Sequence, residues 1–147
     1  MVNSRHRRFF FKKSRLYETR YSYRDDALDV DVFKFCGLKR VLAGGIFLSF
    51  DRNVYRITYF SIDASDRGIG LSHDLIKDVI FILKRRAGHG VIVTVHPRVD
   101  DDSVVRGSSI EEQSHILYNI YEHLGFKLKD SSADRHKANH EMTMEIS

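Results

Sequence analysis

Hydrophobic and polar positions change period along this chain, and the changes mark its elements. From Leu16 to Phe35 the apolar residues Tyr17, Tyr21, Tyr23, Leu28, Val30, Val32, Phe33 and Phe35 alternate irregularly with charges. That pattern suits two strands divided by a turn at Arg24-Asp25-Asp26 better than a helix. Gly37-Leu38-Lys39-Arg40 reads as a hairpin turn into a strand over 41–50, and Asp51-Arg52-Asn53 as another into a strand over 54–62. An antiparallel meander is expected. From Leu71 the spacing becomes helical, with Leu75, Ile76, Val79, Ile80, Ile82 and Leu83 on one side and His73, Asp74, Lys77 and Asp78 on the other. Lys84, Arg85 and Arg86 favour the negative end of that helix dipole, and Gly88 supplies a stop. Val91-Ile92-Val93-Thr94-Val95 is then an unbroken β-branched run, as in a strand buried on both faces and parallel to its neighbour. Ser109-Ile110-Glu111-Glu112 reads as a capping box that opens a second helix. Ile116, Leu117, Ile120, Tyr121 and Leu124 form its stripe and Gly125 its end, before a C-terminal hairpin of 126–128 and 141–146.

The stretch Phe60-Ser-Ile-Asp-Ala-Ser-Asp-Arg-Gly-Ile-Gly-Leu71 joins a strand directly to the first helix. At such a turn the first amides of the helix lack partners and its positive dipole end faces outward, which makes an anion site. Gly68 and Gly70 let a phosphate approach the main chain, and Arg67 adds a charge. The same glycines also serve a bare tight turn. A dinucleotide fingerprint needs a glycine where His73 stands, and the Gly-Lys-Ser/Thr of a P-loop is absent.

A second stretch narrows the choice. Ser65-Asp66-Arg67-Gly68-Ile69-Gly70, followed much later by Ile120-Tyr121-Glu122-His123-Leu124-Gly125-Phe126, resembles the GNAT superfamily of N-acetyltransferases in order and spacing. The family's acyl-CoA motif is Arg/Gln-x-x-Gly-x-Gly/Ala, and its later helix commonly ends in a Leu-Tyr-Glu-Lys-Leu-Gly-Phe-like run. The resemblance covers Val54 to Phe126 well and the first fifty residues poorly. It implies one α/β domain with a mixed, largely antiparallel twisted sheet, two main helices and a splayed parallel strand pair.

It implies acetyl-CoA as cofactor, with the pantetheine arm entering the splay beside Phe60 and Ile62. The diphosphate would lie on the main chain of Ser65, Asp66, Arg67, Gly68, Ile69, Gly70 and Leu71, and Ser114 and Tyr118 would complete the cofactor contacts. Ser65 stands where the family has Arg or Gln, so backbone contacts are expected without that side chain. Tyr121 matches the family's general acid near the CoA sulfur, although the helix stripe equally fits a core tyrosine. The family's fourth-strand glutamate is missing from 54–62, which leaves Asp63 and His96 as candidate bases, or water alone. The acceptor is an amine, expected on a protein lysine or N-terminus. Typical members carry one or two helices after the first strand; no periodic segment long enough is present here, so a trimmed fold is expected.

With 147 residues and 42% apolar content, one domain over 16–147 is expected, preceded by a basic stretch over 1–15 that is an arm or the start of the first strand. Lone Cys36 and the lack of an apolar run of about 18 residues fit a soluble, cytoplasmic protein with no membrane partner. Residues 1–24 carry a net charge of +7 and the remainder −3, so the overall +4 is local to the N-terminus. Arg5-His6-Arg7-Arg8-Phe9-Phe10-Phe11-Lys12-Lys13 interleaves cations with aromatics. It fits a solvated first strand, or a grip on a nucleic acid or acidic protein, which gives the rival reading of an inactive binding module. Asp100-Asp101-Asp102 reads as an exposed acidic turn, and His136-Lys-Ala-Asn-His140 lacks the companions of a metal motif, so no metal is expected.

Overall fold

A computed structural model describes residues 4–24, 26–52, 54–86, 90–96, 118–128 and 141–146. Five strands come first: β1 (Ser4–Lys12), β2 (Arg15–Arg24), β3 (Ala27–Cys36), β4 (Lys39–Asp51) and β5 (Val54–Ile62). A 3-10 turn over Ala64–Asp66 leads to α1 (Leu71–Arg86) and β6 (Val91–Val95). Residues 118–123 are helical, here α2, and β7 (Lys127–Leu128) and β8 (Met142–Ile146) follow. The eight strands form one sheet in the order β1-β2-β3-β4-β5-β6-β8-β7. Every pairing is antiparallel except β5 with β6. The meander, the α/β class and the parallel crossover are therefore as the sequence predicts. The capping box at 109–112, Ser114, the Asp100–Asp102 run and the His136–His140 segment lie outside the described residues.

Among the described residues no helix stands between β1 and β5, and short turns join these strands, as the trimmed fold expected from the sequence requires. β1 and β2 are joined by Lys13 and Ser14 alone, both left-handed with φ of 48° and 64°. Two such residues make the mirror-image turn whose twist matches that of the flanking strands, and they fix Lys12 opposite Arg15. Register shifts at Val32/Phe33 and at Phe47/Leu48 add local twist to β3–β5.

Alternation along β1 sends Phe10 toward the core, where it stacks on Tyr17 with centroids 5.6 Å apart. Its neighbours on that side are cations, and both are matched on α1. Arg8 makes a two-pronged pair with Asp78 at 3.0 and 3.1 Å, and Lys12 lies 3.0 Å from Asp74, one helical turn earlier. On the other side Phe9 and Phe11 stay exposed. α1 buries Leu71, Leu75, Ile76, Val79, Ile82 and Leu83 against the sheet, a face worth about 1.5–3 kcal/mol per side chain. That face meets Leu28, Val30, Val32, Ile46, Val93 and Ile146 in one core.

Glycine is required at two points of β4. A Cβ on Gly44 would fall 2.5 Å from the Ser61 carbonyl oxygen, and one on Gly45 would fall 2.6 Å from Asp31 Oδ1. The Asp31 carboxyl thus rests on a bare backbone. Burial, helped by the charge of Asp29, pushes it up to about 6. A carboxyl with a raised folded value makes the fold less stable as pH rises through that value. Asp31→Asn is accordingly expected to stabilise the protein at pH 8 by about 1 kcal/mol, discounted for partial solvent screening, with the gain gone by pH 4. Urea titrations at the two pH values measure this; an equal effect at both would refute it.

Candidate active site

β5 and β6 pair over only three positions, Val54 with Ile92, Tyr55 with Val93 and Arg56 with Thr94. β5 then continues to Ile62, still paired to β4 as far as Ile62 opposite Gly44, while β6 ends at Val95. The parallel pair therefore opens beyond Arg56. Among the described residues, one edge of β5 from Ile57 to Ile62 has no strand beside it, although Arg67 covers the Ile62 carbonyl, and such an edge is a place where an extended amide-bearing ligand can add as a strand does. Phe60 and Ile62 lie on this free length.

At the end of β5 the chain is pinned and then turned. The Asp63 amide donates to the Ala43 carbonyl at 2.7 Å, and the Asp66 amide closes the 3-10 turn on the Asp63 carbonyl at 2.9 Å. Asp66 is fully buried, and its carboxylate is the hub of a polar network drawn from two strands, β2 and β3, and the loop itself. Lys34 Nζ donates to it at 2.7 Å, the Tyr17 hydroxyl at 2.9 Å and Arg15 Nη1 at 3.5 Å, and the Ser65 oxygen lies 3.2 Å away. Burial alone would raise its pKa; the bonds from Lys34 and Tyr17 outweigh burial and hold the carboxyl below the usual range. The same hydrogen bond raises Lys34 above the ordinary lysine value. The side chain of Asp66 thus faces inward, as an anchor for the loop.

Ser65 is drawn into this network as well. Its hydroxyl donates to Asp63 Oδ2 at 2.6 Å and accepts from Lys34 Nζ at 2.9 Å. That bond from Ser65 keeps the exposed Asp63 carboxyl ionised, below its usual range. Arg67 is exposed, and its Nε donates to the Ile62 carbonyl at 3.0 Å. Gly68 and Gly70 both adopt left-handed backbones, with φ of 81° and 88°, which side-chain-bearing residues resist. Between them Ile69 packs against the core, and Leu71 is buried. The Gly70 carbonyl accepts from the Asp74 amide at 3.1 Å, so a residue with no side chain caps α1. Nothing at that position can satisfy the first amides of the helix. Across this loop Asp66 and Leu71 face inward, Ser65 and Arg67 stay exposed, and the two glycines carry no side chain.

Tyr121 of α2 reaches the opened length of β5. Its ring meets Phe60 edge-on at 6.2 Å and Phe126 at 5.6 Å and 88°. Burial pushes its phenol up to about 12, so it carries its proton at any physiological pH. Tyr118, one turn earlier, donates its hydroxyl to Glu122 at 2.8 Å. His96 follows the last residue of β6 and is exposed, with Nε2 4.0 Å from Glu141 Oε1. Asp63 and His96 thus lie at the carboxyl ends of the two diverging strands, with no hydrogen bond or ion pair between them. The structure brings Phe60 to Tyr121 and joins Asp63, Ser65 and Asp66, while His96 stands apart.

Sequence reasoning missed Tyr17, Lys34, Arg15 and Lys12, which support the loop from the first three strands. The period-two pattern places Arg8, Phe10 and Lys12 on one face, and Asp74 and Asp78 sit one turn apart, but only the fold matches the two sets. A cleft of about 460 Å³ lies between α1 and β1–β3, lined among others by Arg8, Tyr21, Asp74 and Phe81. It is separate from the strand opening. Among the described residues no group of His, Cys, Asp and Glu could hold a metal ion, and no described helix is long and apolar enough to cross a membrane.

No protein-family model and no curated protein matches the sequence. Solved structures do match the fold. The PaiA N-acetyltransferase from Thermoplasma acidophilum, in complex with coenzyme A, is 17% identical with a TM-score of 0.55, over 82% of this chain and 61% of that one. The ribosomal-protein-S18-alanine N-acetyltransferase from Escherichia coli is 14% identical with a TM-score of 0.56, over 85% and 72% of the two chains. A GNAT family N-acetyltransferase from Escherichia coli in complex with CoA, YhbS, is 12% identical with a TM-score of 0.55, over 82% and 59%. The chain thus spans about three fifths of the length of two of these enzymes. Across such low identities the shared property is architecture: this chain has the GNAT N-acetyltransferase fold, in a compact form whose first strands are linked by turns.

Proposed function

We propose that the protein is an acetyl-CoA-dependent N-acetyltransferase whose acceptor is an amine on a protein, a lysine or an N-terminus. The observation that carries this is the opening of β5 from β6 beyond Arg56, beside a loop of two left-handed glycines that runs into an uncapped helix. A pantetheine arm fits the free edge of β5, and a diphosphate fits the amides from Arg67 to Leu71. A protein acceptor suits the short turns between β1 and β5, which leave room for a bulky partner, and one fold neighbour is by name an N-acetyltransferase of a ribosomal protein.

Transfer forms a bond between the amine nitrogen and the acetyl carbon and breaks the thioester C–S bond. Two protons must move: one leaves the amine and one reaches the departing thiolate. Tyr121, protonated and beside the opened strand, donates the second. The first passes to water, or to Asp63 or His96 at the strand ends. Asp63, held ionised, is a weak base. Positioning of the two reactants contributes the larger share of the acceleration.

Tyr121→Phe is expected to lower kcat about 100-fold while leaving the affinity for acetyl-CoA nearly unchanged. Because the phenol titrates near 12, wild-type kcat should not fall between pH 8 and 10 on its account. Stopped assays of labelled acetyl transfer, with titration calorimetry for binding, decide it; an unchanged kcat removes Tyr121 from the mechanism.

The rival reading, a binding module without catalysis, draws on exposed Phe9 and Phe11. Two of the cations it needs, Arg8 and Lys12, are already paired to α1. Phe9→Ser with Phe11→Ser would reduce capture of a macromolecular partner and spare acetyl-CoA binding if that outer face has its own role.

A further inference from the structure

We infer that Lys12, from the first strand, supplies the side-chain cation for the cofactor diphosphate, in place of the motif residue that is Ser65 here; this rests on the acetyl-CoA reading above. The two side chains nearest in sequence are already engaged. Ser65 is bonded to Asp63 and Lys34, and Arg67 covers the Ile62 carbonyl. Lys12 arrives from a different direction. A Cβ on Gly70 would lie 3.2 Å from Lys12 Nζ, so the ammonium sits over the glycine whose missing side chain opens the backbone to a phosphate. The hairpin that carries it is fixed on the same loop, because Arg15, directly opposite Lys12, reaches Asp66.

The present partner of Lys12 is Asp74, in the first turn of α1, at 3.0 Å. That contact is a poor one. Asp74 Oδ2 is closed to solvent yet receives no hydrogen bond of acceptable angle. Lys12 keeps about a third of its side-chain exposure, and four flexible bonds let Nζ move a few ångströms. Exchanging one carboxylate that receives no hydrogen bond for a doubly charged diphosphate, at the positive end of a helix, favours the anion. The competing account is that Lys12 only clamps β1 to α1, as Arg8 does with Asp78. The two accounts differ in sign: a clamp loses the same function when either end is removed, whereas a cation shared with a ligand is released when Asp74 is neutralised.

The test uses the full chain and titration calorimetry with acetyl-CoA, 3′-dephospho-CoA and acetyl-pantetheine. Lys12→Gln is expected to weaken both nucleotide-bearing ligands by about tenfold and to leave acetyl-pantetheine unchanged, while Asp74→Asn binds the first two as tightly as wild type or more so. Thermal melts of the unliganded variants should drop together, since both lose the same ion pair. Equal acetyl-CoA affinity in Lys12→Gln and wild type overturns the inference alone. Parallel losses in Lys12→Gln and Asp74→Asn, or loss of acetyl-pantetheine binding in Lys12→Gln, also overturn it, in favour of the clamp. Failure of the wild type to bind acetyl-CoA overturns the cofactor reading and this inference with it.

Discussion

Asp66→Ala should unfold in urea with a loss of about 3–5 kcal/mol, the largest single-residue stability effect expected in this chain. The carboxylate is fully buried and takes bonds from Lys34 and Tyr17, with Arg15 at the edge. Removing it leaves the buried Lys34 ammonium with only the Ser65 hydroxyl at 2.9 Å and the exposed Asp63 carboxylate at 3.7 Å, and leaves the Tyr17 hydroxyl without its acceptor. The cost is thus that of an internal cation deprived of its buried partner, and much more than a surface ion pair would give. Lys34→Met combined with Asp66→Leu removes both charges and should recover a large part of the loss. Acidity supplies an independent check. Because the folded pKa lies below the unfolded value of about 3.9, the stabilisation is complete above pH 4 and fades as pH falls through the folded value. Asp66→Asn should therefore flatten the acid limb of the stability curve. A loss in Asp66→Ala below about 1 kcal/mol would show that water has access to the network.

Gly70→Glu should reduce acetyl-CoA affinity at least 1,000-fold, while Gly70→Ala leaves it within about tenfold. The contrast separates shape from charge. The space above Gly70 is bounded by the tip of Lys12, a flexible group that can yield to one methyl. Alanine pays mainly for its φ of 88°, roughly 1–2 kcal/mol of folding stability. Glutamate instead places a carboxylate where the phosphate would sit, pairs with Lys12, and repels the ligand. Calorimetry on both variants, with circular dichroism to confirm that each is folded, gives the result. Affinity in Gly70→Glu within tenfold of wild type would rule out the α1 terminus as the diphosphate site.

The fold was legible where a period was clear. The meander from Tyr17 to Ile62 follows from two-fold alternation and from Gly, Asp and Asn at its turns, and α1 from its apolar stripe. The Lys13-Ser14 turn was not legible, since neither residue is a usual left-handed one. The loop from Ser65 to Leu71 showed its backbone chemistry in two glycines, but its side chains misled. Asp66 looks exposed in a polar run, yet it turns inward because Lys34 and Tyr17, thirty to fifty residues earlier, offer buried partners. No local pattern reports a contact at that separation. The same holds for Lys12 and Arg8, whose charges look like a solvated or nucleic-acid-binding arm until α1 is placed beside them.

Among the described residues, every side chain that donates to Asp66 precedes it in the chain: Arg15, Tyr17 and Lys34. A ribosome delivers residues from the amino end, so these anchors have left the exit tunnel before Asp66 does. The glycine loop is the latecomer, and it closes onto a platform of hairpins built from neighbours in sequence, the kind of contact that forms fast. The glycine loop is thus held in place by the first strands, and a lesion in the first hairpin would be felt about fifty residues downstream.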